Sequence, residues 1–189
     1  MAVLNAVVGY SLPSVRDEPR RLSALGYRAL TLSGMALSAA CVAVFGPTLE
    51  GAAAALFCLA LVVVTAADLE YRLIPNRVVL PASAIVLALM TAAEPSREWA
   101  LAAVGAGLGL FVLALIYPAG MGMGDVKLAV LMGAALGRGV GAAIMLSFVL
   151  AALPAIALLV RHGRAGGKMG LPFGPFLALG SIVVLFAGS

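Results

Sequence analysis

Two aspartates stand where apolar sequence gives way to glycine and proline. Asp68 lies in TAADLEYRLIPNRVVLP, and Asp125 in PAGMGMGDVKLAVLMGAALG. Two carboxyl groups that share a site cannot easily both carry charge, so such a pair holds one proton between them. The ionised member can take a proton from water while the neutral member donates to a carbonyl oxygen, which suffices to hydrolyse a peptide bond without metal or covalent intermediate. The acid and base roles belong to the pair, not to either residue. Each acid alone also has an ordinary reading. Asp68 can pair with Arg72 one helical turn later, a surface ion pair worth about 0.3–0.5 kcal/mol. Asp125 can cap the helix that follows it, worth about 1 kcal/mol.

The elements that would have to position these acids are set by composition. Of 189 residues, 63% are hydrophobic and 11% charged, and the mean hydropathy is +1.14. A soluble domain carries about 25% charged residues. Apolar runs near the ~20 residues needed to cross a bilayer recur along the chain. The expected fold is therefore all-α, a polytopic integral membrane helix bundle. About seven segments are expected, near residues 29–46, 51–67, 78–93, 99–117, 126–137, 140–160 and 173–188. One of them, 126–137, is short: its twelve or so residues rise only about 18 Å against a hydrocarbon core of about 30 Å. A short helix there would recess Asp125, with exposed glycine backbone lining a cavity. The apolar start of the chain is too short to span and lacks a basic leader, so no signal peptide is expected.

If all seven segments cross from a cytoplasmic N-terminus, ten of the twelve basic residues fall inside and only Arg97 and Arg138 fall outside. That asymmetry is what the positive-inside rule requires. Two crossings separate Asp68 from Asp125, so both reach the same cytoplasmic edge on different helices that can face each other. Glu50, Glu70, Glu94 and Glu98 are expected to be solvated charges, as is His162 in its basic loop. Cys41 and Cys58 sit inside apolar runs and are expected to behave as small buried apolar residues. The absence of any CxxC argues against a cysteine-ligated metal site. The glycines of GAGLG, Gly105 to Gly109, and Gly133, Gly137 and Gly141 offer smooth faces for close helix contact.

Three features together resemble the type IV prepilin leader peptidases, integral-membrane aspartic peptidases with a GxGD motif. An aspartate precedes IPN after a short spacer, here Asp68 with Ile74, Pro75 and Asn76. GMGDVKL, Gly122 to Leu128, opens a helix. LPFGPFLALG, Leu171 to Gly180, is similar to the proline-glycine stretch entering the family's last helix. The resemblance runs from about residue 50 to the end. It implies that Asp68 and Asp125 are the catalytic pair, and that residues 29–189 form a membrane peptidase domain behind a cytoplasmic N-terminal segment, 1–28. It implies prepilin or pseudopilin substrates of type IV pilus or type II secretion systems, cleaved at the cytoplasmic face of a bacterial inner membrane.

Membrane lipid is the other expected partner, and no nucleic acid, metal or cofactor is called for. Gly122, Gly124, Pro75, Asn76 and Lys127 are the expected substrate-binding residues. The glycines would leave backbone open for an extended peptide to pair with. Lys127 would either anchor the topology by snorkelling or bias the pair toward ionisation. The larger bifunctional members carry a cytosolic insert with paired cysteines and N-methylate the processed pilin. That insert has no counterpart in these residues, so the resemblance is to the short, peptidase-only form. Two rival readings remain: a GxGD peptidase with a non-pilin membrane substrate, and a small ion- or proton-coupled transporter, since acids at membrane depth also mark ion routes.

Overall fold

The computed structural model describes residues 24–117, 121–162 and 172–188. Residues 1–23 of the expected N-terminal segment therefore lie outside the described residues, as do Leu171, Arg164, Lys168 and the His162 side chain. Among the described residues every regular element is a helix: α1 Ala24–Phe45, α2 Leu49–Tyr71, α3 Asn76–Ala93, α4 Glu98–Ile116, α5 Met123–Leu136, α6 Val140–His162 and α7 Gly174–Ala187. A single 3₁₀ turn, Gly137–Gly139, joins α5 to α6.

The helix borders follow local chemistry. Thr48 caps α2 by accepting the Gly51 N–H at 3.0 Å, as N-cap threonines do. At its other end α2 runs on through Asp68 to Tyr71. It stops where Arg72 turns left-handed at φ 52°, with its N–H still donating to the Asp68 carbonyl. Pro75 then caps α3, a place where its missing N–H costs nothing.

Five helical stretches are long and apolar enough to cross a membrane: Arg28–Phe45, Leu49–Tyr71, Asn76–Ala93, Glu98–Ile116 and Met123–Arg161, the last running through α5, the 3₁₀ turn and α6. The outward faces are apolar as well. Leu101, Ile116 and Val160 are 70%, 73% and 80% exposed, which only a lipid environment makes favourable. This is a multi-pass membrane bundle. One short helix was expected and two are present, since α5 and α7 have 14 residues each. Each rises about 21 Å.

The shortness of α5 is explained by its place. It packs against α3 and α4 most heavily, and also touches α2, α6 and α7. Leu128, Ala129, Leu131, Met132 and Ala134 have no exposed surface. A helix wrapped by other helices need not match the lipid thickness. Its contact with α4 is close because Gly133 lies directly against the backbone of Ala102 and Ala103, where any side chain would collide. The expected glycine faces are used only in part. Gly107 packs against Val130, whereas Gly105, Gly109 and Gly141 have open space beside them.

Cross-helix contacts sort into two ends. The start of α5 meets the start of α3, and the start of α7 meets the end of α2. At the opposite end Glu98, opening α4, pairs with Arg138 just past α5 at 2.9 Å. Successive helices therefore alternate in direction, as the parity of crossings between Asp68 and Asp125 requires. The two cysteines are fully buried where α1 meets α2, with their sulfurs 3.6 Å apart.

Candidate active site

Asp68 occupies the last turn of α2 and Asp125 the first turn of α5. Both carboxylates are buried, at 6% and 8% exposure. Burial of an acid is costly unless hydrogen bonds or charges compensate, and each of these acids has a backbone donor. Asp68 Oδ2 accepts the N–H of Gly174 at 2.9 Å, from the first residue of α7. Asp125 Oδ2 accepts the N–H of Gly122 at 3.0 Å.

Asp68 departs from its ordinary reading, whereas Asp125 does help to cap α5. Asp68 makes no ion pair with Arg72. Asp125 is not the N-cap of α5. Gly122 is, and Asp125 reaches back to it from the third helical position, the acid half of a capping box. The helix that carries Asp68, α2, packs on α5, which carries Asp125.

The other expected residues collect at the same end, with different contacts from those foreseen. Pro75 caps α3 and Asn76 is its first residue. Lys127 Nζ donates to Asn76 Oδ1 at 2.9 Å. Its ammonium thus ties α5 to α3, rather than serving simply as a snorkelling anchor. Gly124 was expected to leave an open backbone edge. It is instead half-buried against Ile74, and a Cβ there would stand 2.8 Å from the Ile74 Cβ. Gly122 is exposed, but its N–H is already engaged by Asp125.

Two residues at this end were not foreseen from sequence. Gly174 is required where it stands: a Cβ would lie 2.8 Å from Asp68 Oδ2 and 3.2 Å from Asp68 Cβ. Its sequence signal is the LPFGPFLALG stretch, which carries the family likeness but gives Gly174 no role of its own. Glu70, expected to be solvated, is buried at 5% exposure, because α2 stays enclosed by α3 and α7 through its last turn. Glu98, also expected to be solvated, is ion-paired with Arg138.

Comparison with known proteins agrees with the motifs. A sequence profile of the type IV leader peptidase family matches residues 55–160, more than half of the chain. A prepilin leader peptidase/N-methyltransferase of Bacillus subtilis (strain 168) is 35% identical over 169 residues, covering 86% of this chain and 66% of that protein. The protein of the same name from Burkholderia pseudomallei (strain 1026b) is 31% identical over 172 residues, covering 86% and 55%. That of Aeromonas salmonicida (strain A449) is 32% identical over 147 residues, covering 72% and 49%. The chain thus spans about half to two thirds of the length of these curated relatives. No solved structure matches it. With both acids and the helix starts that hold them inside or beside the matched region, the chain belongs to the type IV leader peptidase family.

Proposed function

We propose that this protein is an aspartic endopeptidase that removes the leader of type IV prepilins or pseudopilins, using Asp68 and Asp125 as a proton-sharing pair. The observation that carries the reading is the burial of two carboxylates at one end of a membrane bundle, each held by a glycine N–H from a different part of the chain. Such fixing suits a catalytic pair, since proton transfer depends on placement within hydrogen-bond reach.

In this mechanism the ionised carboxylate removes a proton from a water molecule as its oxygen attacks the scissile carbonyl carbon. The neutral carboxyl gives its proton to the carbonyl oxygen. As the tetrahedral intermediate collapses, the C–N bond breaks, the amine nitrogen takes up a proton, and the pair returns to one proton between two acids. The Gly174 and Gly122 N–H groups hold one oxygen of each acid, which leaves the other oxygen of each for water and substrate. Lys127 and Asn76 brace the starts of α5 and α3 around this chemistry.

The substrate is read from the site's place. A pair at the membrane boundary fits a peptide whose leader lies in water and whose following helix lies in lipid. Charge asymmetry of the sequence supports the cytoplasmic side for that boundary, and the bacterial relatives support a bacterial inner membrane. The proposal concerns the peptidase step alone.

It is tested by reconstituting the protein in vesicles with a prepilin-like substrate and identifying products by mass. Release of the leader at a single bond is expected. Ion or proton flux through the vesicles with the substrate left intact would replace the peptidase with the transporter reading. Cleavage of other membrane substrates in preference to prepilins would move the substrate class.

A further inference from the structure

The stretch FGPF, Phe173 to Phe176, opens α7 with little choice about its hydrogen bonds. Phe173 is the N-cap, and its carbonyl accepts the N–H groups of Phe176 and Leu177, both at 3.1 Å. Pro175 has no N–H to give. Of Gly174, Pro175, Phe176 and Leu177, only Gly174 sends its N–H outside the helix, onto Asp68 at 2.9 Å. That N–H and the Phe173 carbonyl belong to one planar peptide unit. The placement of Phe173 therefore sets where the Gly174 N–H points, and with it the Asp68 carboxylate.

Phe173 is itself placed by a residue outside every motif. Its ring lies 5.2 Å from that of Phe148, centroid to centroid, with the planes tilted by 37°, a favourable arrangement for an aromatic pair. Phe148 is in α6, and its neighbour Ser147 is a second point of contact. Gly180 of α7 lies directly against the Ser147 hydroxyl and the Ala143 carbonyl, where any side chain would collide. Gly180 lets the two helices approach, but one close contact does not fix the direction of a helix. The Phe148–Phe173 pair, about two turns nearer to Asp68, fixes the end that carries Gly174.

We infer that Phe148 is a positioning residue for the acid pair, acting through Phe173 and the Gly174 N–H on Asp68. Its effect on rate rests on the peptidase reading, whereas its hold on the Gly174 N–H does not. The same helix supplies a control. At the far end of α7, Phe186 pairs with Phe45 at 6.4 Å between centroids. Both pairs hold α7 by aromatic contact, but only the first adjoins Gly174.

Phe148→Leu tests this, since it removes the ring and keeps most of the apolar volume. Phe-Gly occurs twice in the chain, at Phe45-Gly46 and Phe173-Gly174. Isotope labelling of Phe carbonyl carbons and Gly nitrogens therefore isolates these two amides by NMR of the full chain in detergent, and Gly174→Ala identifies the Gly174 signal by removing it. In Phe148→Leu the Gly174 amide should exchange with water about tenfold faster, with Gly46 unchanged as the check on overall stability. The kcat for leader cleavage should fall about tenfold with KM within about twofold of the parent. Phe186→Leu should leave both the Gly174 exchange rate and kcat at parental values. Parental Gly174 exchange or parental kcat in Phe148→Leu, or an equal change in Phe186→Leu, would overturn the inference. No cleavage by the parent itself would instead end the peptidase reading, and Gly174 exchange would then decide the inference alone.

Discussion

The backbone N–H of Gly174 meets the carboxylate of Asp68 at 2.9 Å, across 106 residues of sequence. One bond thereby joins the end of α2 to the start of α7 and sets the direction in which a buried acid points. The absence of a side chain at Gly174 is what lets the two helices come this close.

Gly174→Ala should therefore harm cleavage more than folding. The added methyl group must push Asp68 or α7 aside, and displacement of a catalytic group by about 1 Å is enough to cost about a hundredfold in rate. The cleavage rate of this variant, measured beside its thermal midpoint, is expected to fall by about 10- to 100-fold with the protein still inserted and folded. A parental rate would remove Gly174 from the positioning of Asp68.

Gly124→Val is expected to lose most cleavage, for a reason that lies in Ile74. The new side chain collides with Ile74, beside the turn that leads into α3. Ile74→Gly in the same chain should restore part of the rate. No recovery in the double variant would return Gly124 to the role of an open edge for substrate.

Lys127 and Asn76 should behave as one unit. Their bond at 2.9 Å joins an ammonium to an amide oxygen, and hydrogen bonds to charged groups are worth about 1.5–3 kcal/mol. Lys127→Met and Asn76→Ala should each lower stability by an amount in that range or somewhat less. The double variant should be little worse than either single one. A double-mutant cycle measures this coupling, and additive losses would contradict it.

Glu98 and Arg138 should matter little. Their ion pair is exposed on the Arg138 side at 89% and stands at the end of the bundle away from the aspartates. Glu98→Gln should change stability by about 0–1 kcal/mol, an effect that shrinks further with salt. Its cleavage rate should stay within about twofold of the parent on the same reasoning. A large loss of cleavage would mean that the two ends of the bundle are linked.

The helices could be read from the sequence because lipid demands long apolar runs, and every one of the seven segments has a helix over it. The short span at α5 was equally legible, since hydropathy measures length directly. What hydropathy does not carry is which helix lies beside which. In a soluble bundle an apolar stripe marks the buried face, but here the lipid-facing side is apolar too, so Leu128 at 0% exposure and Leu101 at 70% look alike in sequence.

That is why the Asp68–Gly174 bond, the Lys127–Asn76 bond and the Gly124–Ile74 contact were invisible. Each depends on neighbours far away in the chain. Glu70 shows the same limit from the other side: a charge beside Arg72 reads as solvated, yet the turn that carries it is enclosed. The two acids themselves were legible, since charge is rare here and each stood at a break in an apolar run.

The pair is tested most directly by initial cleavage rates of one prepilin-like substrate with Asp68→Asn, Asp125→Asn and the double variant, each checked for insertion. Two acids that share one proton act as a unit, so each single variant should lose about 10³-fold or more and the double variant should fall no further. A near-parental rate from either single variant, or losses that multiply in the double variant, would contradict the pair.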